Sequence, residues 1–200
     1  MSISAIILSG GRATRMNGVD KGLMLLQNKP LIAHVIARLK PQVDEILINA
    51  NREIAQYEAF GLPVLKDENE EFIGPLAGFS LGLQQAMHDY VLTVPCDSPL
   101  LPIDLADRLL NSLVLTKSEV AVASSDGNTH PVICLMKKGA LPSLMEYLAS
   151  GERKVSTWQK SQQYVEVDFS DCESPDCTSA FVNLNTFEDL AALELALNKP

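Results

Sequence analysis

Three cations and a glycine pair crowd one short stretch of this chain. Gly10 and Gly11 are adjacent, Arg12, Arg15 and Lys21 follow, and the run comes directly after Ile3 to Leu8, an apolar segment rich in β-branched residues. Adjacent glycines let the backbone turn in ways closed to other residues and present bare N–H groups. Phosphate oxygens are good acceptors for such a row of donors. The guanidinium and ammonium groups add positive charge, so the stretch points to a cradle for a polyphosphate. Two familiar phosphate loops do not match it. A P-loop needs Gly-x-x-x-x-Gly-Lys followed by Ser or Thr, whereas Lys21 lies between Asp20 and Gly22. A dinucleotide fingerprint needs glycines spaced as Gly-x-Gly-x-x-Gly.

A second candidate is Asp97 in Pro95-Cys96-Asp97-Ser98-Pro99. A lone loop Asp is more often a turn residue. Here prolines stiffen the loop on both sides, and it leaves a buried strand at the same sheet end as the glycine loop, which is where open α/β sheets bind ligands. Mg²⁺ usually takes one or two carboxylates, several waters and substrate phosphate oxygens, and Asp97 is placed to supply one of them. Other polar residues read less sharply by themselves. Asn49 ends a strand, where Asn commonly serves turn chemistry. Asp67 precedes the charge run Glu68-Asn69-Glu70-Glu71, which reads as a solvated loop. Gly74 precedes Pro75 at a helix start. Arg153 and Lys154 form an anion-ready pair after a helix. Asn183 and Asn185 alternate along an extended segment, so both can point to one face.

The elements that must position these residues alternate in type. Apolar runs at Ile3 to Leu8, Glu45 to Ala50, Leu62 to Leu65, Tyr90 to Val94, Val120 to Ala123, His130 to Met136 and Tyr164 to Phe169 read as strands. Helical spacing covers Leu31 to Leu39, Pro75 to Met87, Ile103 to Leu113, Leu141 to Leu148 and a final stretch carrying Leu190, Leu193 and Leu197. Thr186 and Asp189 have capping-box spacing, and Asp126-Gly127-Asn128 is a turn signal. Strands alternating with helices predict a three-layer α/β sandwich, a mostly parallel sheet with helices on both faces.

Leu8-Ser9-Gly10-Gly11, Arg15-Met16 and Gly18-Val19-Asp20-Lys21-Gly22 resemble the signature loop of the molybdenum cofactor guanylyltransferase family, nucleotidyltransferases with a Rossmann-like GT-A fold. Ser9 stands where Ala is usual and Asn17 where Gly is common. Asn49-Ala50-Asn51-Arg52, Gly74-Pro75-Leu76-Ala77-Gly78, Pro95-Cys96-Asp97-Ser98-Pro99, Gly151-Glu152-Arg153-Lys154 and Phe181-Val182-Asn183-Leu184-Asn185-Thr186 extend the resemblance over nearly the whole chain. It implies transfer of GMP from GTP to molybdenum-molybdopterin, with Mg²⁺. It implies that Leu8, Ser9, Gly10, Gly11, Lys21, Asn49, Asp67, Gly74 and Asp97 form the GTP site, with Arg15, Lys21 and Asp97 in the chemistry and Asp97 on the metal. Arg153, Lys154, Asn183 and Asn185 then face molybdopterin. Lys154 keeps the charge of the family's second Arg but lacks its bidentate fork. His130 and Pro131 resemble the family's entry to the acceptor-side strand, although a lone His at a strand start is more often structural. Molybdenum-insertion proteins and molybdoenzyme chaperones are the protein partners the resemblance implies. Its rivals are a nucleotidyltransferase making a nucleotide sugar or the cytidylyl cofactor, and a regulator that binds nucleotide without turnover.

At 200 residues the chain is long enough for one full α/β domain, expected to bind nucleotide in its N-terminal half and acceptor in its C-terminal half. A net charge of −9 argues against a nucleic-acid partner, so the cations must be concentrated locally. No secretory leader or run of membrane-spanning length is evident, and a cytoplasmic protein is expected. Cys96, Cys134, Cys172 and Cys177 are too few and scattered for a disulfide scaffold.

Overall fold

The first strand is buried on both faces because its alternate side chains meet two different layers. In the computed structural model of the protein, which describes residues 1–9, 20–67, 74–170, 180–182, 184 and 186–197, β1 is Ile3–Leu8. Ile3, Ala5 and Ile7 point to one core cluster and Ile6 to another, as the period of two requires. The first cluster packs under α1 (Leu31–Leu39) and α4 (Leu105–Leu115), and the second under α3 (Pro75–Gln85), α5 (Leu141–Ala149) and α6 (Val155–Lys160). The expected three layers are therefore present.

β1 lies inside a seven-stranded sheet. With β4 (Glu45–Asn49), β5 (Val64–Leu65), β6 (Tyr90–Pro95), β7 (Val120–Ser125), β8 (Asn128–Lys137) and β9 (Tyr164–Asp168), the order is β5-β4-β1-β6-β8-β7-β9. All neighbours pair in parallel except at β8, which is antiparallel to both β6 and β7. The Asp126–Gly127 turn, both residues at positive φ, folds β8 back on β7. After β1 the chain builds outward through β4 and β5, then crosses back to place β6 on the other side of β1. The C-terminal ends of β1 and β6 thus form a switch point, where a crevice opens in such sheets.

Several expectations needed adjustment. Helix α3 ends at Gln85 rather than reaching Met87, because Ala86 turns extended and the next two amides are taken by the sheet: Met87 N donates to Glu45 Oε2 at 2.8 Å and His88 N to Ser4 Oγ at 3.1 Å. A hairpin of β2 (Leu25–Leu26) and β3 (Lys29–Pro30) turns through Gln27 and Asn28, both at positive φ, before α1 begins. Helix α2 (Ile54–Glu58) and α6 have few turns and lacked a long periodic signal. The final helix, α7 (Phe187–Leu197), opens on the expected reciprocal cap: Thr186 N donates to Asp189 Oδ2 and Asp189 N to Thr186 Oγ1, at 2.9 and 3.0 Å. Among the described residues no helix is long and apolar enough to cross a membrane.

Candidate active site

The strand register brings the first site residues together. Leu8 pairs with Asn49 of β4 on one side and with Pro95 of β6 on the other. Ser9 N donates to Asn49 O at 2.8 Å, and Cys96 N to Leu8 O at 3.1 Å. Leu8, Ser9, Asn49 and Asp97 therefore line one sheet edge at the switch point. Two glycines of α3 let that helix lie close against β1. A Cβ at Gly78 would come within 2.4 Å of Leu8 Cδ2 and 2.8 Å of Asn49 Oδ1, and one at Gly82 within 2.9 Å of Ile6 Cγ2.

Lys21 reaches the same edge. Its Nζ lies 3.3 Å from Asp97 Oδ2. The lysine sits on a single 3₁₀ turn, Lys21–Leu23, capped by Asp20, whose Oδ1 accepts from Gly22 N at 3.2 Å. Asp97 is 8% exposed. Burial raises its pKa above the ordinary carboxylate value, and the neighbouring Lys21 ammonium offsets part of that rise. Leu184 N donates to Asp97 O at 3.1 Å, so Leu184 lies against the Asp97 loop. Leu184 is anchored in a third core cluster with Met24, Leu100 and Leu193.

The donor set suits Mg²⁺. A buried carboxylate calls for a cationic partner, and the Asp97 carboxylate faces the Lys21 ammonium. Among the described residues no group of three His, Cys, Asp or Glu side chains converges on one point. A single carboxylate is within the share a protein gives to Mg²⁺, whose remaining ligands are waters and phosphate oxygens.

Asp67 stands one strand further out and is held from three directions. Its Oδ1 accepts from Asn49 Nδ2 at 2.8 Å, its Oδ2 from Asn51 Nδ2 at 2.7 Å, and its N donates to Asn51 Oδ1 at 2.9 Å. Each carboxylate oxygen keeps lone pairs for a ligand that offers N–H donors. Gly74 precedes α3 with φ 72° and ψ −158°, a backbone state that L side chains rarely adopt. Arg153 and Lys154 are exposed on the loop between α5 and α6. Lys138 N bonds Asp89 O at the N-terminal edge, just before α5 starts.

Gly10, Gly11, Arg12, Arg15, Cys172, Cys177, Asn183 and Asn185 lie outside the described residues. His130 is structural in its contacts, as its position suggested. Its ring stacks on Phe181 with centroids 4.6 Å apart, its Nε2 is 2.8 Å from Ser125 Oγ, and burial lowers its pKa. Three residues escaped sequence reasoning. Asn51 left a faint signal in the Asn-x-Asn alternation, which puts Asn49 and Asn51 on one face. Gly78 left one in the second glycine of Gly-Pro-Leu-Ala-Gly. Tyr57, whose hydroxyl donates to Asp20 Oδ1, left none, because it comes from the short helix α2.

Comparison with known proteins gives the family and the fold. The MobA-like NTP transferase domain matches residues 5–166. The chain is 47% identical over 189 residues to the molybdenum cofactor guanylyltransferase of Shewanella putrefaciens (strain CN-32), covering 94% of each protein. It is 48% identical over 200 residues to that of Polynucleobacter asymbioticus, covering 98% of each. In fold it resembles the crystal structure of molybdopterin-guanine dinucleotide biosynthesis protein A from Archaeoglobus fulgidus. The TM-score there is 0.81 at 18% identity, over 98% of this chain and 100% of that one. It also resembles 4-diphosphocytidyl-2C-methyl-D-erythritol synthase from Anaerococcus prevotii, with TM-score 0.75 at 13% identity over 99% of each chain.

Proposed function

The chain belongs to the MobA-like NTP transferase family and is a nucleotidyltransferase, and on that premise we propose that it transfers GMP from GTP to molybdenum-molybdopterin. The products are the guanine dinucleotide form of the cofactor and pyrophosphate. The observation that carries the reading is the Lys21–Asp97 pair at the switch point, an ammonium 3.3 Å from a buried carboxylate at the end of the central strands.

A phosphate oxygen of the acceptor forms a bond to the α-phosphorus of GTP. The bond from that phosphorus to the bridging oxygen breaks, and the electron pair leaves with pyrophosphate. No covalent enzyme intermediate is needed, so the chain's part is orientation and charge neutralisation. Lys21 and Arg15 offset charge on the leaving phosphates, and the N–H groups of Gly10 and Gly11 donate to phosphate oxygens. Leu8, Ser9, Asn49, Asp67 and Gly74 line the nucleotide. Asp67, fixed by two amides, presents an acceptor pair to the N–H donors of a base such as guanine. Asp97 would hold Mg²⁺, which when bound supplies Lewis-acid stabilisation of the phosphate charge. Arg153, Lys154, Asn183 and Asn185 hold the acceptor, so the N-terminal half serves nucleotide and the C-terminal half molybdopterin within one domain. Molybdenum-insertion proteins and molybdoenzyme chaperones are the partners this reading implies. The cytoplasm, where GTP is kept, is the compartment.

Pyrophosphate release in the presence of Mg²⁺ tests the proposal. GTP with the molybdopterin acceptor should release it, whereas GTP alone, ATP or CTP should not. Preference for CTP would convert the reading to cytidylyl transfer, and binding of GTP without release would make the protein a regulator. Lys21→Ala should fold and bind GTP more weakly, with most turnover lost. Wild-type turnover in that variant would remove Lys21 from the chemistry.

A further inference from the structure

Lys21 projects from one turn of 3₁₀ helix. Three residues cannot hold a flexible ammonium in place by themselves. The residues on either side of Lys21 meet the same group. Tyr57 donates its hydroxyl to Asp20 Oδ1, the oxygen that also accepts from Gly22 N. On the other flank, Gly22 is wedged so closely that an added Cβ would lie 2.6 Å from the Tyr57 hydroxyl oxygen, and 3.2 Å from both Cβ and Sγ of Cys96. Cys96 is the residue next to Asp97.

We infer that Tyr57 is a positioning residue for nucleotidyl transfer, holding the Asp20–Gly22 turn so that Lys21 stands opposite Asp97. The inference rests on the role proposed above for Lys21. Tyr57 itself is fully buried, in the cluster that contains Ile7, Val94 and Cys96. Its ring is therefore held in the same buried layer as side chains of β1 and β6, the two strands that define the switch point. The hydroxyl transmits that fixed position to Asp20. Burial pushes the tyrosine pKa upward, so the group remains a donor. Burial also raises Asp20, and the Tyr57 hydrogen bond offsets part of that rise in favour of the charged, capping form. A tyrosine needed only to fill the core would not require its hydroxyl, because Phe fills the same ring volume.

Full-length Tyr57→Phe, Lys21→Ala, Gly22→Ala and the doubles Tyr57→Phe/Lys21→Ala and Tyr57→Phe/Gly22→Ala are compared by single-turnover pyrophosphate release with GTP, Mg²⁺ and molybdopterin. Near-ultraviolet circular dichroism verifies that each is folded. Tyr57→Phe should lower the maximal rate roughly ten-fold and raise the GTP concentration for half-maximal rate by less than Lys21→Ala does, since the lysine is retained but no longer held. In the Lys21→Ala background the same change should have no further effect, as residues acting through one group are not additive. Gly22→Ala, which crowds both the Tyr57 hydroxyl and Cys96 and leaves the lysine intact, should reproduce the loss, and adding Tyr57→Phe should not deepen it. A wild-type rate in Tyr57→Phe, or an equal further loss in both backgrounds, overturns the inference while Lys21→Ala stays impaired. An unimpaired Lys21→Ala overturns the role of Lys21 itself.

Discussion

The two wings of the sheet are prepared to different degrees. On the parallel wing, β5-β4-β1-β6, the polar groups of the site are tied together before any ligand arrives. Asp67 is held by Asn49 and Asn51, and Asp97 faces Lys21, while Lys21 is flanked by the Tyr57 contacts. On the other wing, β8-β7-β9, Arg153 and Lys154 are exposed. Arg153 Nη1 donates to the carbonyls of Leu148 and Glu152 at 2.9 and 2.7 Å, and the backbone carbonyl of Lys154 accepts from Tyr147. The difference is physical. Parallel strands bring their C-terminal residues to one line, so Asn49, Leu8 and Pro95 are in register. The basic pair instead hangs on a connection between two helices. A pre-organised site lowers the cost of ordering a ligand there, and a loop leaves more of that cost to whatever binds it.

The comparison is tested first where preparation is greatest. Asp97→Asn keeps the size of the side chain and removes its charge. Turnover should fall roughly 10²- to 10³-fold, a magnitude usual for loss of one charge-stabilising contact, while GTP affinity falls less. Raising Mg²⁺ should recover part of the rate. An Asp97→Asn enzyme with unchanged Mg²⁺ dependence would pass the metal role to Asp67. Asn51→Ala, next in expected size, removes both the donor to Asp67 Oδ2 and the acceptor for its N–H. GTP affinity measured by calorimetry should drop roughly ten-fold, since a hydrogen bond to a carboxylate is lost. An unaltered affinity would mean that Asn49 alone suffices to hold Asp67.

On the second wing the effects should be smaller and of another kind. Arg153→Ala should leave GTP affinity unchanged and raise the molybdopterin concentration needed for half-maximal rate by roughly two- to five-fold, in keeping with an exposed charge. Loss of GTP affinity instead would move this loop to the nucleotide side and erase the contrast between the wings. The smallest effect concerns stability. His130 has a pKa lowered by burial from 6.5. The unfolded chain therefore takes up this proton more readily, and folded stability falls as pH drops below about 6.5. His130→Phe should keep the stack on Phe181 and reduce the decline in melting temperature between pH 7.5 and 5.5. An identical decline in both proteins would assign it to other groups.

Much of the parallel wing was legible from residues alone. The β-branched run before Gly10 marked a strand buried on both faces, and the prolines around Asp97 marked a loop fixed at its end. Asp20-Lys21-Gly22 and Asn49 were legible as candidates through the family resemblance, since an Asn at a strand end reads equally well as turn chemistry. The Thr186–Asp189 cap could be read because capping is local, with both hydrogen bonds closing within four residues. Helix α2 could not, because five residues give too little of a 3.6-residue period to distinguish a helix from a turn.

What the sequence determined by itself was the alternation of strands and helices and the concentration of cations beside a glycine pair in an acidic chain. Those are properties of composition and short-range spacing. Only the tertiary structure decided the strand order that lays β6 beside β1, and with it the meeting of Lys21 with Asp97 across 76 positions of chain. It alone brought Asp67 between Asn49 and Asn51, set the Tyr57 hydroxyl against Asp20, and folded Leu184 back to the Asp97 carbonyl. Such contacts depend on how buried faces pack against one another, and no local pattern in the chain encodes which distant side chain will occupy the facing position.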